Sequence, residues 1–415
     1  MKILVLNAGS SSHKSCLYEF GDSLPEQPLK PLWEAQVDWA SQPGMAELRV
    51  KTVDIPSYET VFPSVSRFED TLRLLQTIWS GEVPVVSQPG DIDIVGHRVV
   101  HGGRDYQEST WVNPAVKAEI AQLATLAPVH NPVNLQGIDI IEQCLGTVPQ
   151  VAVFDTAFHS QMPMAAKVYP IPWQWFEQGI QRYGFHGISH QYVATRAAEI
   201  LHQPLTDLRL ITCHLGNGCS LAAIHQGHSI DTTMGFTPLE GLMMGCRSGS
   251  VDPGILLHLI RHHHLDAQQL DTLLNQESGL KGVSGSSGDM RQILKQAAAG
   301  DGQANLALAV YIHRLRSHIG SMLAALGGLD ALVFTGGVGE NAAPIRAAVC
   351  EAFGFLGLNL DLAQNMQSPC DQDIATLDSR VRVLVIHTQE DWAIAQECWR
   401  LSQSPQKAVV TTHVP

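Results

Sequence analysis

Asn7-Ala-Gly-Ser-Ser-Ser-His-Lys14 follows the apolar run Ile3 to Leu6 and places three hydroxyls and one ammonium within a short turn. Such donors can cradle phosphate oxygens, because glycine lets backbone N–H groups approach closely. The spacing is not that of a Walker A loop, and the same residues also suit a plain hairpin turn. His214-Leu-Gly-Asn-Gly-Cys-Ser220 carries the same two readings. Phe334-Thr-Gly-Gly-Val-Gly-Glu-Asn341 joins an apolar run to a glycine-rich turn and a helix start. That arrangement brings backbone close to a nucleotide, or simply makes a tight strand-to-helix connection.

Arg98, in Gly96-His-Arg-Val-Val-His-Gly-Gly103, lies just beyond an apolar run, and Arg247 sits among the small residues of Met243 to Pro253. A guanidinium in apolar surroundings needs an anion, so each is either in a structural ion pair or aimed at a carboxylate or phosphate ligand. Asp155 ends the run Val151 to Phe154, and Glu390 follows Val381 to Ile386. Carboxylates at strand ends commonly face a ligand crevice, and their oxygens suit Mg²⁺. Glu390 equally suits the first turn of a helix, where the macrodipole favours an acid. His186, flanked by glycines in Tyr183-Gly-Phe-His-Gly-Ile-Ser-His190, can donate to a phosphoryl oxygen or bond to backbone in a loop. His262-His263-His264 reads as a solvated helix end, since consecutive helical residues point in different directions.

Elements must bring these residues together, and composition bounds what the elements can be. The chain has 415 residues, 45% of them hydrophobic, with 40 acidic against 26 basic groups and a formal charge of −14. Disorder is excluded, and a general attraction to nucleic acid or an anionic membrane is disfavoured. The stretch Leu306 to Gly337 is interrupted by His313, Arg314, Arg316, His318 and Asp330, so no membrane span is expected. The apolar start is too short for a signal peptide, which predicts a cytoplasmic protein. Eight cysteines without a CxxC pair predict reduced thiols, with neither a disulfide framework nor a zinc site.

Strands are predicted at Ile3 to Leu6, Ile92 to Val95, Val151 to Phe154, Leu208 to Cys213, Ala331 to Phe334 and Val381 to Ile386. Helical patterns alternate with them: one after the cap Asn113-Pro114, one from Asn131-Pro132 to Gly146, one over roughly Ala304 to Leu326, and one from about Asp391 to Leu401. Residues 402–415 read as a loosely held tail. The alternation predicts a layered α/β fold. Residues 3–12 and 210–220 share a pattern of strand, small-residue turn and returning strand, which indicates either two related halves or two unrelated hairpins.

Taken in order, these motifs, together with Ala-Pro-Val-His130-Asn-Pro, Phe-Asp155-Thr-Ala-Phe-His and Asp231-Thr-Thr-Met-Gly-Phe-Thr-Pro-Leu-Glu-Gly, closely resemble the acetate kinase family from residue 1 to about 400. The resemblance implies an α/β fold of two duplicated ribonuclease H-like (actin-like) domains with an active-site cleft between them. It divides the chain into 1–155, completed by a C-terminal helix 391–415, and a nucleotide-binding domain 156–390. It implies reversible phosphoryl transfer from ATP to acetate, with Mg²⁺ or Mn²⁺, in a homodimer.

By motif match, the resemblance makes Asp155, Arg98, Arg247, His186 and His130 catalytic, and Asn7 and Glu390 metal residues. It assigns ATP to Ser10, Ser12, Lys14, His214, Gly216, Asn217, Gly218, Asp289, Met290, Arg291, Gly337, Val338, Gly339, Glu340 and Asn341. Arg98, Val100, Val129, Phe185 and Pro238 are implied around the acid substrate. His13, Met290 and Val385-Ile-His-Thr-Gln-Glu-Asp-Trp392 depart from the family's usual residues. Two other readings stand beside this one: a propionate or butyrate kinase on the same frame, and an actin-like ATP-binding switch without an acyl acceptor.

Overall fold

The apolar runs condense into two β-sheets in the computed structural model, which describes residues 1–9, 12–39, 44–53, 57–128 and 130–403. The chain divides into two compact units, Met1–Phe154 with the segment from Gln389 onward, and Asp155–Thr388.

In the first unit, β1 (Lys2–Ala8), β2 (Ser12–Glu19), β3 (Trp33–Asp38), β4 (Met45–Thr52), β5 (Tyr58–Pro63), β6 (Ile94–Val99), β7 (Thr110–Trp111) and β8 (Gln150–Phe154) form one sheet of order β5-β4-β3-β2-β1-β6-β8-β7. β1, β6 and β8 run parallel, while β2 to β5 form an antiparallel meander and β7 returns antiparallel to β8. Strand β6 starts and ends later than the apolar run indicated, so Arg98 lies inside it rather than just beyond. Pairing explains the shift, because Arg98 and Val99 are matched to Val153 and Phe154 across the parallel ladder.

Beyond the returning strand β2, the meander strands β3 to β5 were not predicted. Trp33–Asp38 alternates buried and half-exposed residues, the mark of a strand with one solvated face. Its buried side joins Leu4, Leu6, Leu48, Leu74 and Ile140 in one core.

Helix Glu390–Gln403 packs on β1 and β6 of this unit. The approach is close at Gly96, where a Cβ would stand 2.6 Å from Cys398 Sγ and 2.7 Å from Ile394 Cγ2. Trp392 stacks on Phe20 with ring centroids 5.2 Å apart.

In the second unit, β9 (Arg209–Leu215), β10 (Cys219–His225), β11 (His228–Thr232), β12 (Ala331–Thr335), β13 (Gln372–Asp373) and β14 (Arg382–Val385) form a sheet of order β11-β10-β9-β12-β14-β13. Order and orientation repeat those of β3-β2-β1-β6-β8-β7, including the parallel pairs β9–β12 and β12–β14 and the antiparallel edge strand β13. The two hairpins noticed in the sequence are therefore the same piece of a duplicated α/β fold. β4 and β5 are additions to the first copy.

The predicted helices form with the expected ends. Asn113 accepts from the N–H groups of Ala115 and Val116 to cap Pro114–Gln122, and Asn131–Leu145 stops at Gly146 in a positive-φ conformation. Gly302–Leu326 is capped by Asp301 and ended by Gly327. His262 and His263 are exposed at the end of helix Pro253–His263. Among the described residues no helix is long and apolar enough to cross a membrane.

Gly96→Ala is expected to push helix Glu390–Gln403 from its seat and cost about 1–3 kcal/mol. Urea unfolding checks this: the midpoint should fall at unchanged slope, and an unchanged midpoint would show that the helix yields without strain.

Candidate functional site

The turn after β1 closes with a hydrogen bond from Gly9 N–H to the Ser12 carbonyl (2.9 Å), which puts Lys14 on β2 directly across from Asn7. Asn7 then works as a bridge. Its Nδ2 donates to Glu390 Oε2 (3.4 Å) and Asp391 Oδ1 (3.2 Å), and its Oδ1 accepts from Arg98 Nη1 (3.5 Å). Three predicted residues, Asn7, Arg98 and Glu390, thus converge at the ends of β1, β6 and the last helix. Ser10 and Val129 lie outside the described residues, as do residues 404–415 of the predicted C-terminal helix and tail.

Asp391, missed from the sequence, holds this cluster together. Besides Asn7 it pairs with Lys14 Nζ at 2.9 Å and accepts from Cys16 Sγ at 3.6 Å, while Glu34 takes the far side of Lys14 at 3.4 Å. Burial works against the Lys14 ammonium as the largest single effect, but the charge and hydrogen bond of Asp391, with Cys16 and Glu34, together outweigh it and hold Lys14 above the usual lysine range. Burial, with Asp391 next, pushes the Cys16 thiol up, so it stays protonated. Nearby, Asn131 and Asn134, at the start of the helix that follows His130, accept from the His101 and Val100 N–H groups, each at 3.1 Å. Asn134 also donates to the Ala8 carbonyl (3.1 Å), tying the ends of β1 and β6 to one helix. Val100 is buried there.

In the second unit, helix Gly187–Leu201 begins where the Gly187 N–H meets the Asp155 carbonyl at 2.9 Å. A Cβ at Gly187 would lie 2.2 Å from that oxygen, so glycine is required. His186, just before it, is in the left-handed region at φ 57°. Its ring stacks on His214 with centroids 4.3 Å apart, and its Nδ1 lies 2.8 Å from Ser220 Oγ. Phe185 and Asp155 are buried.

A methyl group on Gly218 would stand 3.5 Å from His186 Nε2 and 3.6 Å from Arg247 Nη1, so both nitrogens face one spot. Arg247 donates to the Pro238 carbonyl (3.1 Å), and no acidic side chain pairs with it among the described residues. Burial lowers Arg247 from the ordinary guanidinium range. Of the two readings of this arginine, the structural ion pair is therefore absent among the described residues.

Beside this spot opens a cavity of about 870 Å³. Gly216, Asn217, Asp289, Met290, Arg291, Gly337, Val338 and Asn341 line it, joined by Cys246, Gly288, Leu294 and Ala342, which sequence reasoning did not select. Asp289 caps helix Met290–Ala298 and pairs with Arg291 through Nε and Nη2, the latter at 2.6 Å. His214, Gly218, Gly339 and Glu340 are not among the lining residues. Glu340 instead accepts from its own turn at Gly336 N (2.9 Å) and meets His387 Nδ1 at 2.7 Å. Buried Arg346, unremarked in the sequence, braces that turn by donating to the carbonyls of Gly339 (2.8 Å) and Glu340 (2.7 Å).

Comparison with known proteins bears on both units. The model of the acetokinase family matches residues 2–396. The chain is 62% identical to an acetate kinase of Gloeobacter violaceus, over 96% of this chain and 99% of that protein, and 60% identical to one from Cyanothece sp., over 97% and 99%. Among solved structures, an acetate kinase of Porphyromonas gingivalis superimposes with a TM-score of 0.87 at 38% identity, covering 97% of this chain and 100% of that one. A propionate kinase from Francisella tularensis gives 0.87 at 37%, covering 96% and 99%.

Asp391→Ala removes the acceptor shared by Asn7, Lys14 and Cys16. Because Lys14 is partly open to solvent, the expected loss is about 1–3 kcal/mol rather than the full value for a buried pair. Glu34→Ala, on the exposed side, should cost under about 1 kcal/mol. Equal urea midpoints for the two variants would remove Asp391 from its central place.

Proposed function

The chain belongs to the acetokinase family and is a phosphotransferase with a carboxyl group as acceptor; we propose that it moves the γ-phosphoryl group of ATP to acetate in one direct, in-line, reversible step. The observation that supports this reading best is Arg247, a partly buried guanidinium with no acidic partner among the described residues, sharing the space over Gly218 with His186 Nε2. That pair suits an oxyanion. A binding switch without an acceptor anion has no use for it.

Acetate is already ionised at neutral pH and needs no general base. The difficulty is to bring one anion onto another and to align the attacking oxygen, the phosphorus and the leaving oxygen. In this reading Arg98 and Arg247 neutralise the carboxylate and the equatorial phosphoryl oxygens, and His186 adds a hydrogen bond. His130 and Asp155 complete the catalytic set. Val100, Val129, Phe185 and Pro238 meet the acetate methyl group. The cavity beside Gly216 and Gly337 takes the nucleotide, with Ser10, Ser12 and Lys14 as further phosphate donors.

Glu390 and Asn7 are proposed to hold Mg²⁺, with Mn²⁺ as a substitute. Glu390 and Asp391 bring two carboxylates to the Asn7 amide, hard oxygen donors of the number this ion uses when phosphates and water complete its shell. When bound, the ion screens the charge of the polyphosphate. A homodimer in the cytoplasm belongs to the same reading, supported by the family resemblance.

Likeness to a propionate kinase favours testing chain length. Product trapped with hydroxylamine, with acetate, propionate and butyrate as acceptors, reads both the reaction and the room at the methyl group, since only an acyl phosphate gives the hydroxamate. Acetate should lead, propionate follow and butyrate fall behind. ATP hydrolysis without hydroxamate would overturn the reading.

Arg98→Ala and Arg247→Ala should each lower hydroxamate formation by at least about a hundredfold, as a charge-assisted contact of a few kcal/mol demands. A variant with wild-type turnover removes that arginine from the mechanism. With ATP chiral at the γ-phosphorus, direct transfer must invert configuration. Retention would show two displacements through a covalent intermediate, with Glu390 the first carboxylate to examine.

A further inference from the structure

Three side chains stand in file behind His186. Thr212 Oγ1 is 2.7 Å from His190 Nδ1, His190 Nε2 is 2.7 Å from Ser220 Oγ, and Ser220 Oγ is 2.8 Å from His186 Nδ1. Thr212 on β9, Ser220 on β10 and His190 on the helix after His186 are all fully buried. Burial first, then the neighbouring His159 and His214, holds His190 well below the ordinary histidine range, so it stays neutral and carries one ring proton.

Each gap in the file holds one proton. Each hydroxyl owns one and a neutral imidazole owns one, so the protons must all point the same way along the file. Thr212 sets the direction. Its alternative acceptor, the Ala222 carbonyl, is 3.5 Å away, at the limit of a hydrogen bond and a poor rival to the nitrogen at 2.7 Å. Thr212 therefore donates to His190 Nδ1, His190 Nε2–H donates to Ser220, and Ser220 donates to His186 Nδ1. The one ring proton of a neutral His186 is thereby placed on Nε2, the nitrogen that shares the space over Gly218 with Arg247.

We propose that Thr212, His190 and Ser220 are positioning residues that fix the tautomer of His186, so that it presents Nε2–H to an oxyanion while uncharged. This rests on the phosphoryl-transfer reading and deepens it. A neutral donor adds a hydrogen bond beside Arg247 without a second, mutually repelling positive charge there.

The test is a two-bond ¹H–¹⁵N correlation spectrum of the full chain labelled with ¹⁵N-histidine, with the His186 signals identified by their loss in His186→Gln. Above neutral pH, His186 should show a bare Nδ1 and a protonated Nε2, and the reverse pattern in the wild-type chain overturns the proposal outright. Ser220→Ala should mix the two tautomers and lower kcat by about ten- to a hundredfold at little change in KM, the scale on which partners that orient a histidine act. Thr212→Val should act in the same direction, and Thr212→Ser should restore the wild-type values. In a His186→Gln background, Ser220→Ala should cost nothing more, and effects that multiply would overturn the relay. If His186→Gln alone keeps full turnover, the role of His186 in transfer fails, whereas a slow His186→Gln with a wild-type Ser220→Ala sinks only the relay. Should Ser220→Ala not fold, the wild-type spectrum and the Thr212 pair decide.

Discussion

A guanidinium taken partly out of water without an acidic partner is costly, by several kcal/mol per desolvated ion, and the second unit is built to hold Arg247 in that state. The backbone around it is pinned at many points. Met244 N–H meets the Arg247 carbonyl at 3.1 Å, Ser278 N–H the Cys246 carbonyl at 3.0 Å, Ser248 N–H the Leu274 carbonyl at 2.9 Å, and Gly245 N–H the Asn217 carbonyl at 3.1 Å. The last bond fastens the arginine's loop to the turn after β9. In the proposed reading, arginine, turn and His186 form one preorganised receptor, whose donors need no rearrangement when an anion arrives. Side chains cannot come closer at Gly245, where a Cβ would lie 2.4 Å from Asn217 Oδ1.

What the sequence displayed and what it hid divide along physical lines. Strands buried on both faces, such as Ala331–Thr335, read as unbroken apolar runs. Trp33–Asp38 did not, because half its residues face outward and its partners are set by hairpin register rather than by composition. Glycine-rich turns showed themselves through residue type alone. Asp391 and Arg346 did not, since their meaning lies in partners far along the chain. Asp391 meets Asn7 across 384 positions, and Arg346 acquires its role only when the turn after β12 folds back onto it. His190 was visible as a residue of the His186 motif, but only the pairing of β9 with β10 shows that Ser220 stands between the two histidines.

The duplication allows a sharper comparison between the copies. Asn7 and His214 are the penultimate residues of β1 and β9, and their cross-strand neighbours are Lys14 and Ser220. The same place in the same hairpin is thus treated in two electrostatic styles. In the first unit it is ionic: Lys14 joins Asp391 and Glu34, and Asn7 distributes hydrogen bonds between Arg98 and two carboxylates. In the second it is built from hydroxyls and imidazoles: Ser220 links two imidazoles, and His214 bonds to Ser189 at 3.1 Å. The contrast follows from exposure. Lys14 keeps its side chain about two-fifths open to solvent, which screens its charge, whereas Ser220 and Thr212 are fully buried, where an added charge would need a full set of partners. A hydroxyl–imidazole file is the arrangement that orients a donor inside a dry sheet without placing any net charge there, and the duplicated hairpin supplies the two adjacent strands on which such a file can be built.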